Sequence, residues 1–373
     1  MRPFGSGSQL KGLHGVAAVL LALVVTAGPA RSEAVPLPSL NVAIGETSVS
    51  GLSSGGYMAV QFEVAFSSSV KGAGVIAGGP YSCARGDVIR ATTVCSCTLF
   101  CPTVGETDTA ALIRATDRNA ARGAVDPTAN LARHRIWLFS GTLDTIVPRS
   151  VMDELERYYR HYVGGPNIFY EKGLDAGHGQ PTADFGNPWC GDEADPFINK
   201  CGYDAAGELL RWIYGPLDPP SAGRLGGEFV RFDQTPFLAD PTAHGLDTTG
   251  WLYVPAACRA GARCRLHVAF HGCRQAQGFA PAPGLPAYGT TFVRHAGYAE
   301  WADTNGIIVL YPQVAPVPSE VDRSTSNRDA TASNAAIAGL EAAASRTLLL
   351  HLGEAHGPRE TMRRGRFAER EPA

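Results

Sequence analysis

Residues 48–58 read Ser-Val-Ser-Gly-Leu-Ser-Ser-Gly-Gly-Tyr-Met and contain a Gly-x-Ser-x-Gly pentapeptide built on Gly51, Ser53 and Gly55. A serine hydroxyl is useful as a nucleophile when a sharp strand-to-helix turn holds it out of the backbone, with small residues on both sides letting strand and helix pack closely. The flanks supply that context, because 46–50 is β-like and 57–66 is compatible with a helix. Ser53 is therefore the candidate nucleophile, and the backbone N–H of Ser54, at the start of the helix, is a candidate oxyanion donor. The frame centred on Ser54 is weaker, since Leu52 stands where the first glycine should be. Two other groups fit the same chemistry. Asp144 lies just beyond the apolar run 135–141, at the edge where open α/β sheets assemble their sites, although an aspartate there could equally cap the helix expected over 151–162. His178 sits between two glycines in the loop that follows the strand-like run 167–171, where it can swing toward a serine.

Nucleophile, acid and base in the order Ser53, Asp144, His178 match the chain order of α/β-hydrolases. One part is displaced. The second oxyanion donor of that fold normally comes from a His-Gly loop before the nucleophile, yet here such a loop, Phe270-His271-Gly272-Cys273, follows the base. The strand-like runs around it, 251–255, 266–270 and 306–312, are those that ordinarily open the fold. The economical inference is circular permutation, which surface termini lying close together make physically tolerable. The expected fold is thus a circularly permuted α/β-hydrolase: a mostly parallel sheet with helices on both faces, stapled by disulfides. Strands are expected over 40–50, 71–79, 135–141 and 167–171, and a helix over 107–122.

A length of 373 residues with 45% hydrophobic and 18% charged residues suits a globular protein with a large core. A net charge of −3 argues against nucleic acid as a partner. Residues 1–32 have the pattern of a signal peptide: Arg2 and Lys11, an apolar run over 16–27, then Ala30-Arg31-Ser32. About 12 strongly apolar residues are too few for a bilayer that needs roughly 20, so no stable membrane insertion is expected after cleavage. Export, to the periplasm or the medium, makes disulfides the natural reading of the nine cysteines. Cys190 with Cys201 and Cys258 with Cys264 would close short loops. Cys83, Cys95, Cys97 and Cys101 form a cluster whose pairing the sequence leaves open, and Cys273 stands apart from all of these.

The segments 51–58, 141–144, 176–179, 270–273, 301–303 and 311–313, together with Cys190 to Tyr214, resemble the extracellular poly(3-hydroxybutyrate) depolymerases of the permuted, single-domain type. The likeness extends over about 37–313. It implies hydrolysis of polyester bonds through an acyl-enzyme, with Ser53 as nucleophile, His178 as base, Asp144 as orienting acid, and the Ser54 and Cys273 amides as oxyanion donors. The substrate would be an insoluble polyester or a hydroxyalkanoate oligomer, the enzyme a monomer, and no metal or organic cofactor would be needed. The expected organisation is a signal peptide over 1–32, a catalytic domain over 33–316 and an atypical tail over 317–373, helical in part and disordered in part. After Gln313 the family usually continues into a Gly-Cys-Trp-Asp-Trp-Trp-Gly-Tyr-like segment, whereas here 314–373 holds no Cys, Trp or Tyr and one aromatic ring, Phe367. Two rival readings stand beside the first: an esterase for soluble oligomers or small aryl esters, and a non-catalytic protein that binds polyester or a cell surface.

Overall fold

The structure is a computed structural model that describes residues 33–315 apart from Leu99 and Ala239. The expected signal peptide and the tail from 317 lie outside the described residues.

Among the described residues ten strands occur in chain order: β1 (Val42–Leu52), β2 (Val70–Ile76), β3 (Arg135–Phe139), β4 (Ile168–Glu171), β5 (Gln180–Thr182), β6 (Ile198–Lys200), β7 (Glu228–Asp233), β8 (Thr249–Val254), β9 (Cys264–Phe270) and β10 (Ile307–Tyr311). Among the described residues eight α-helices accompany them: α1 (Ser54–Ala65), α2 (Val88–Thr93), α3 (Thr109–Ala121), α4 (Arg149–Tyr162), α5 (Ala205–Tyr214), α6 (Ala256–Arg259), α7 (Thr291–His295) and α8 (Tyr298–Asn305). The main sheet has the spatial order β4-β3-β2-β1-β9-β10-β8-β7, and β5 pairs with β6 in a separate parallel ribbon. All neighbours in the main sheet are parallel except that β8 runs against both β7 and β10.

This order makes the permutation visible. The elbow strand β1 pairs in register with β9, Ser48 opposite His267 and Gly51 opposite Phe270, although more than 200 residues separate them in the chain. The strands that come last in sequence complete the half of the sheet that an unpermuted α/β-hydrolase builds first.

Both faces of the sheet are covered, so strands such as β3 and β10 are buried on both sides and read as apolar runs instead of alternating with polar residues. Successive side chains point to opposite faces. Ile136 and Leu138 of β3 therefore pack with Met58 and Phe62 of α1, Leu112 of α3 and Tyr159 of α4, while Trp137 and Phe139 pack with Leu209 and Ile213 of α5 and Trp301 of α8. Fully burying one such large apolar side chain stabilises by about 1.5–3 kcal/mol, which is ample to fix the register of a five-residue strand.

Four disulfides staple the loops: Cys83 with Cys95, Cys97 with Cys101, Cys190 with Cys201, and Cys258 with Cys264. The two short-loop pairings expected from the sequence are present, and the open cluster is divided into two local bridges. Elements not expected from the sequence are the edge strand β7, the β5/β6 ribbon, and helices α2, α5, α6, α7 and α8.

Candidate active site

Strand β1 enters α1 through Ser53, whose backbone is in the left-handed half of conformational space with φ 57° and ψ −122°. A non-glycine residue pays for such a geometry, and it persists because its surroundings over-determine it. Ser53 N–H donates to Ile76 O at 2.9 Å at the end of β2, and Ser53 O accepts from Tyr57 N at 3.0 Å in the first turn of α1. The two glycines of the pentapeptide are needed for close approach. A Cβ on Gly51 would stand 2.2 Å from Gly55 O, and one on Gly55 would stand 2.4 Å from Phe270 O. Although Ser53 occupies the N-cap position of α1, its side chain makes no cap hydrogen bond. The hydroxyl is left available instead of being spent on a helix amide.

The candidate acid and the candidate base meet at the same edge of the sheet, beyond β3 and β4. His178 Nδ1 and Asp144 Oδ2 are 2.9 Å apart, with only 4% and 7% of the two residues exposed. The other carboxylate oxygen, Oδ1, accepts from the backbone of Ile146 at 2.9 Å and Val147 at 2.8 Å, which locks the carboxylate plane. Asp144 therefore caps its own turn and not α4, whose N-cap is Pro148. The base loop is fastened to the acid loop by Leu143 N–H to Ala176 O at 3.0 Å.

A residue with no signal in the sequence completes this fastening. Glu193 Oε1 accepts from Thr145 N at 2.7 Å and from His178 N at 3.3 Å, and its Oε2 accepts from Thr145 Oγ1 at 2.5 Å. Burial on its own pushes the His178 imidazolium down. The Asp144 charge, the hydrogen bond to Asp144 and the Glu193 charge outweigh burial, so the pKa is raised above its ordinary 6.5. A histidine held this way donates its Nδ1–H to the carboxylate, which leaves Nε2 as the free nitrogen of the neutral ring. Ser53 Oγ is not hydrogen-bonded to His178 here. Such bonds often tighten only in the substrate complex.

The His-Gly loop comes to the elbow as the permutation requires. Phe270 and His271 carbonyls back against Gly55, and a Cβ on Gly272 would lie 3.2 Å from Leu52 O, next to Ser53. Cys273 follows immediately in this loop, while the first-turn amides of α1 have no intrahelical acceptors. The two expected oxyanion donors thus belong to segments packed against one another.

The fold is that of an α/β-hydrolase. Among curated proteins the chain is 44% identical over 286 residues to a poly(3-hydroxybutyrate) depolymerase of Delftia acidovorans, covering 76% of this chain and 54% of that one. It is 39% identical over 303 residues to a polyhydroxybutyrate depolymerase of Talaromyces funiculosus, covering 80% and 83%. The chain belongs to the poly(3-hydroxybutyrate) depolymerase family. It spans about half the length of the Delftia protein. Solved structures agree: a PHB depolymerase from Penicillium funiculosum superimposes with a TM-score of 0.65 at 37% identity, covering 75% of this chain and 83% of that one. A serine-to-alanine variant of a PHB depolymerase, complexed with an R3HB trimer, superimposes with a TM-score of 0.71 at 33% identity, covering 85% and 98%. No protein-family model matches the chain.

Proposed function

We propose that this chain is a secreted serine esterase that cleaves the ester bonds of poly(3-hydroxybutyrate) or related polyhydroxyalkanoates. The observation that carries the reading is the buried 2.9 Å pairing of His178 with Asp144 on the same sheet edge as a strained, uncapped Ser53. His178 Nε2 removes the Ser53 proton as Oγ attacks the ester carbonyl, and the carbonyl electrons move onto oxygen, facing the Ser54 and Cys273 amides. Collapse of that adduct expels the alcohol, which takes the proton from His178, and leaves Ser53 acylated. Water then attacks the acyl-enzyme with His178 again as base. Asp144 holds the tautomer and stabilises the imidazolium throughout. Neither a metal nor an organic cofactor enters any step.

The catalytic domain on this reading is 33–316, acting as a monomer after removal of 1–32. Four disulfides support an oxidising compartment, periplasmic or extracellular. Apolar surface at the acid loop supports a polyester substrate. Trp189 is 63% exposed and Leu143 40%, and both side chains border Gly191, beside the base loop that Gly177 N–H ties to Cys190 O at 3.0 Å. A second reading, an esterase for soluble oligomers or small aryl esters, draws on the absence of Trp and Tyr from 314–373.

Ser53→Ala is expected to lower kcat by about 10⁶ without unfolding the protein, whereas Ser54→Ala, whose contribution is a backbone amide, has a small effect. Equal losses would show that the wrong serine has been chosen. Relative rates on polymer granules and on a short p-nitrophenyl ester separate the two substrate readings.

A further inference from the structure

The loop after β9 grips one residue from both sides. Gly272 N–H donates to Gln275 Oε1 at 2.7 Å, and Gly272 O lies 2.8 Å from His271 Nδ1. Val314 N–H approaches His271 Nε2 at 3.4 Å, which makes Nε2 the acceptor and Nδ1 the protonated nitrogen that donates to Gly272 O. Burial pushes the His271 pKa down, with Gly272 O and the Asp247 charge opposing it only in part, so the ring is neutral and that tautomer is retained. In a trans peptide the N–H lies opposite the C=O. Fixing the Gly272 carbonyl therefore fixes the direction in which the Cys273 N–H points.

The far end of Gln275 reaches the base. Its Nε2 donates to Pro196 O and Phe197 O, each at 3.1 Å, and the side chain is almost wholly buried. Phe197 O also accepts from Gln180 N at 2.9 Å, two residues past His178, and the Phe197 ring meets the imidazole edge-on with centroids 6.4 Å apart. Tyr288 OH adds a 2.8 Å bond to Pro196 O. One amide side chain thus spans the interval between the His-Gly loop and the segment against which the base rests.

We propose that His271 and Gln275 are positioning residues for ester hydrolysis, aiming the Cys273 N–H at the oxyanion and holding that amide at a set distance from His178. The inference rests on the assignment of Cys273 as an oxyanion donor. Simple packing would fill the same space with apolar atoms, whereas here every polar atom of both side chains meets a backbone group, and all but His271 Nε2, which meets Val314 N–H, meet the parts being aligned.

The test compares single variants of the full chain on a soluble p-nitrophenyl ester. His271→Asn keeps a donor near the Nδ1 position and loses the ring; His271→Phe keeps the ring shape and loses the donor; Gln275→Met keeps the length and loses both ends. Loss of a whole oxyanion donor costs about 10²–10³ in kcat, so a misaimed one should cost about 10–10²-fold in His271→Phe and Gln275→Met, with KM nearly unchanged. His271→Asn should retain most of the rate. Affinity for a boronic acid, whose tetrahedral adduct carries a negative oxygen, should weaken in step with kcat, after correction for the folded fraction by thermal melting. A His271→Phe enzyme more active than His271→Asn would overturn the proposal, as would a Gln275→Met enzyme altered in KM alone. If His271→Phe does not fold, Gln275→Met decides through the same kcat and boronate readings. Ser53→Ala tests the underlying reading separately: an inactive Ser53→Ala beside fully active His271 and Gln275 variants would sink only the positioning role, whereas a fully active Ser53→Ala would sink the underlying reading.

Discussion

Two buried histidines in this protein, His178 after β4 and His267 within β9, are built for opposite ends. His178 stands in a loop beside a carboxylate, and its pKa is raised above 6.5. His267 is fully buried within β9, with Nδ1 2.6 Å from Ser48 Oγ and Nε2 2.7 Å from Ser50 Oγ, and burial pushes its pKa down to about 3. The hydrogen-bonded chain runs on to Tyr214 OH from Ser48 and to Tyr298 OH from Ser50, each at 2.7 Å, so every member is satisfied and faces its neighbours instead of a cleft. A short contact between serine and histidine is thus no sign of acyl transfer. An acid that stabilises the developing imidazolium, and a serine hydroxyl not already committed, make the difference.

The largest expected break in this contrast is Asp144→Asn. By analogy with the same change in other triads it should lower kcat by about 10⁴. It should also move the acid limb of kcat/KM to lower pH, because the charge that holds the His178 pKa up is gone. In the unaltered enzyme that limb lies above pH 6.5, the base being active only when neutral. A limb that stays in place in Asp144→Asn would mean that another group titrates there.

His267→Gln should do the reverse, sparing kcat and costing stability. Opening a buried, satisfied polar network typically costs about 1–3 kcal/mol. The sign of its pH dependence follows from a folded pKa depressed below the unfolded 6.5. The stability that neutral His267 contributes is complete above pH 6.5 and is lost as the pH falls toward 3. Denaturant unfolding of wild type and variant should therefore show a gap that narrows between pH 7.5 and pH 4.5. A gap that widens would mean that His267 is charged in the fold.

The same contrast explains what could be seen in the sequence. The pentapeptide around Ser53 is contiguous in the chain, with Gly51 demanded by an approach within the same turn even though Gly55 answers to the distant Phe270 carbonyl, and Asp144 and His178 each follow a short strand. The permutation was legible from the late position of Phe270-His271-Gly272-Cys273. Glu193, Gln275 and the Ser48, His267, Ser50 chain were not, since each meets partners fixed by tertiary packing or, for Glu193, by the loop that Cys190 and Cys201 close. Strands β5 and β6, three residues each, have too little length for a period. Helix α5 did carry a signal that went unread: Asp204 caps it through Gly207 N at 2.9 Å, and Ala205, Leu209 and Ile213 recur on its buried face.

The smallest effect is expected at Glu193, where charge and hydrogen bonding can be separated. Glu193→Gln keeps a carbonyl oxygen able to accept from Thr145 N and His178 N, and places an amide where Oε2 met Thr145 Oγ1, so the acid and base loops should remain fastened. What disappears is the charge, the last of the influences that raise the His178 pKa. The acid limb of kcat/KM should then shift to lower pH, by less than in Asp144→Asn, with kcat on its plateau nearly unchanged. Glu193→Ala removes the fastening as well and should lower the plateau itself. If Glu193→Gln lowers the plateau as much as Glu193→Ala and leaves the limb where it was, Glu193 serves the loops alone and has no part in tuning the base.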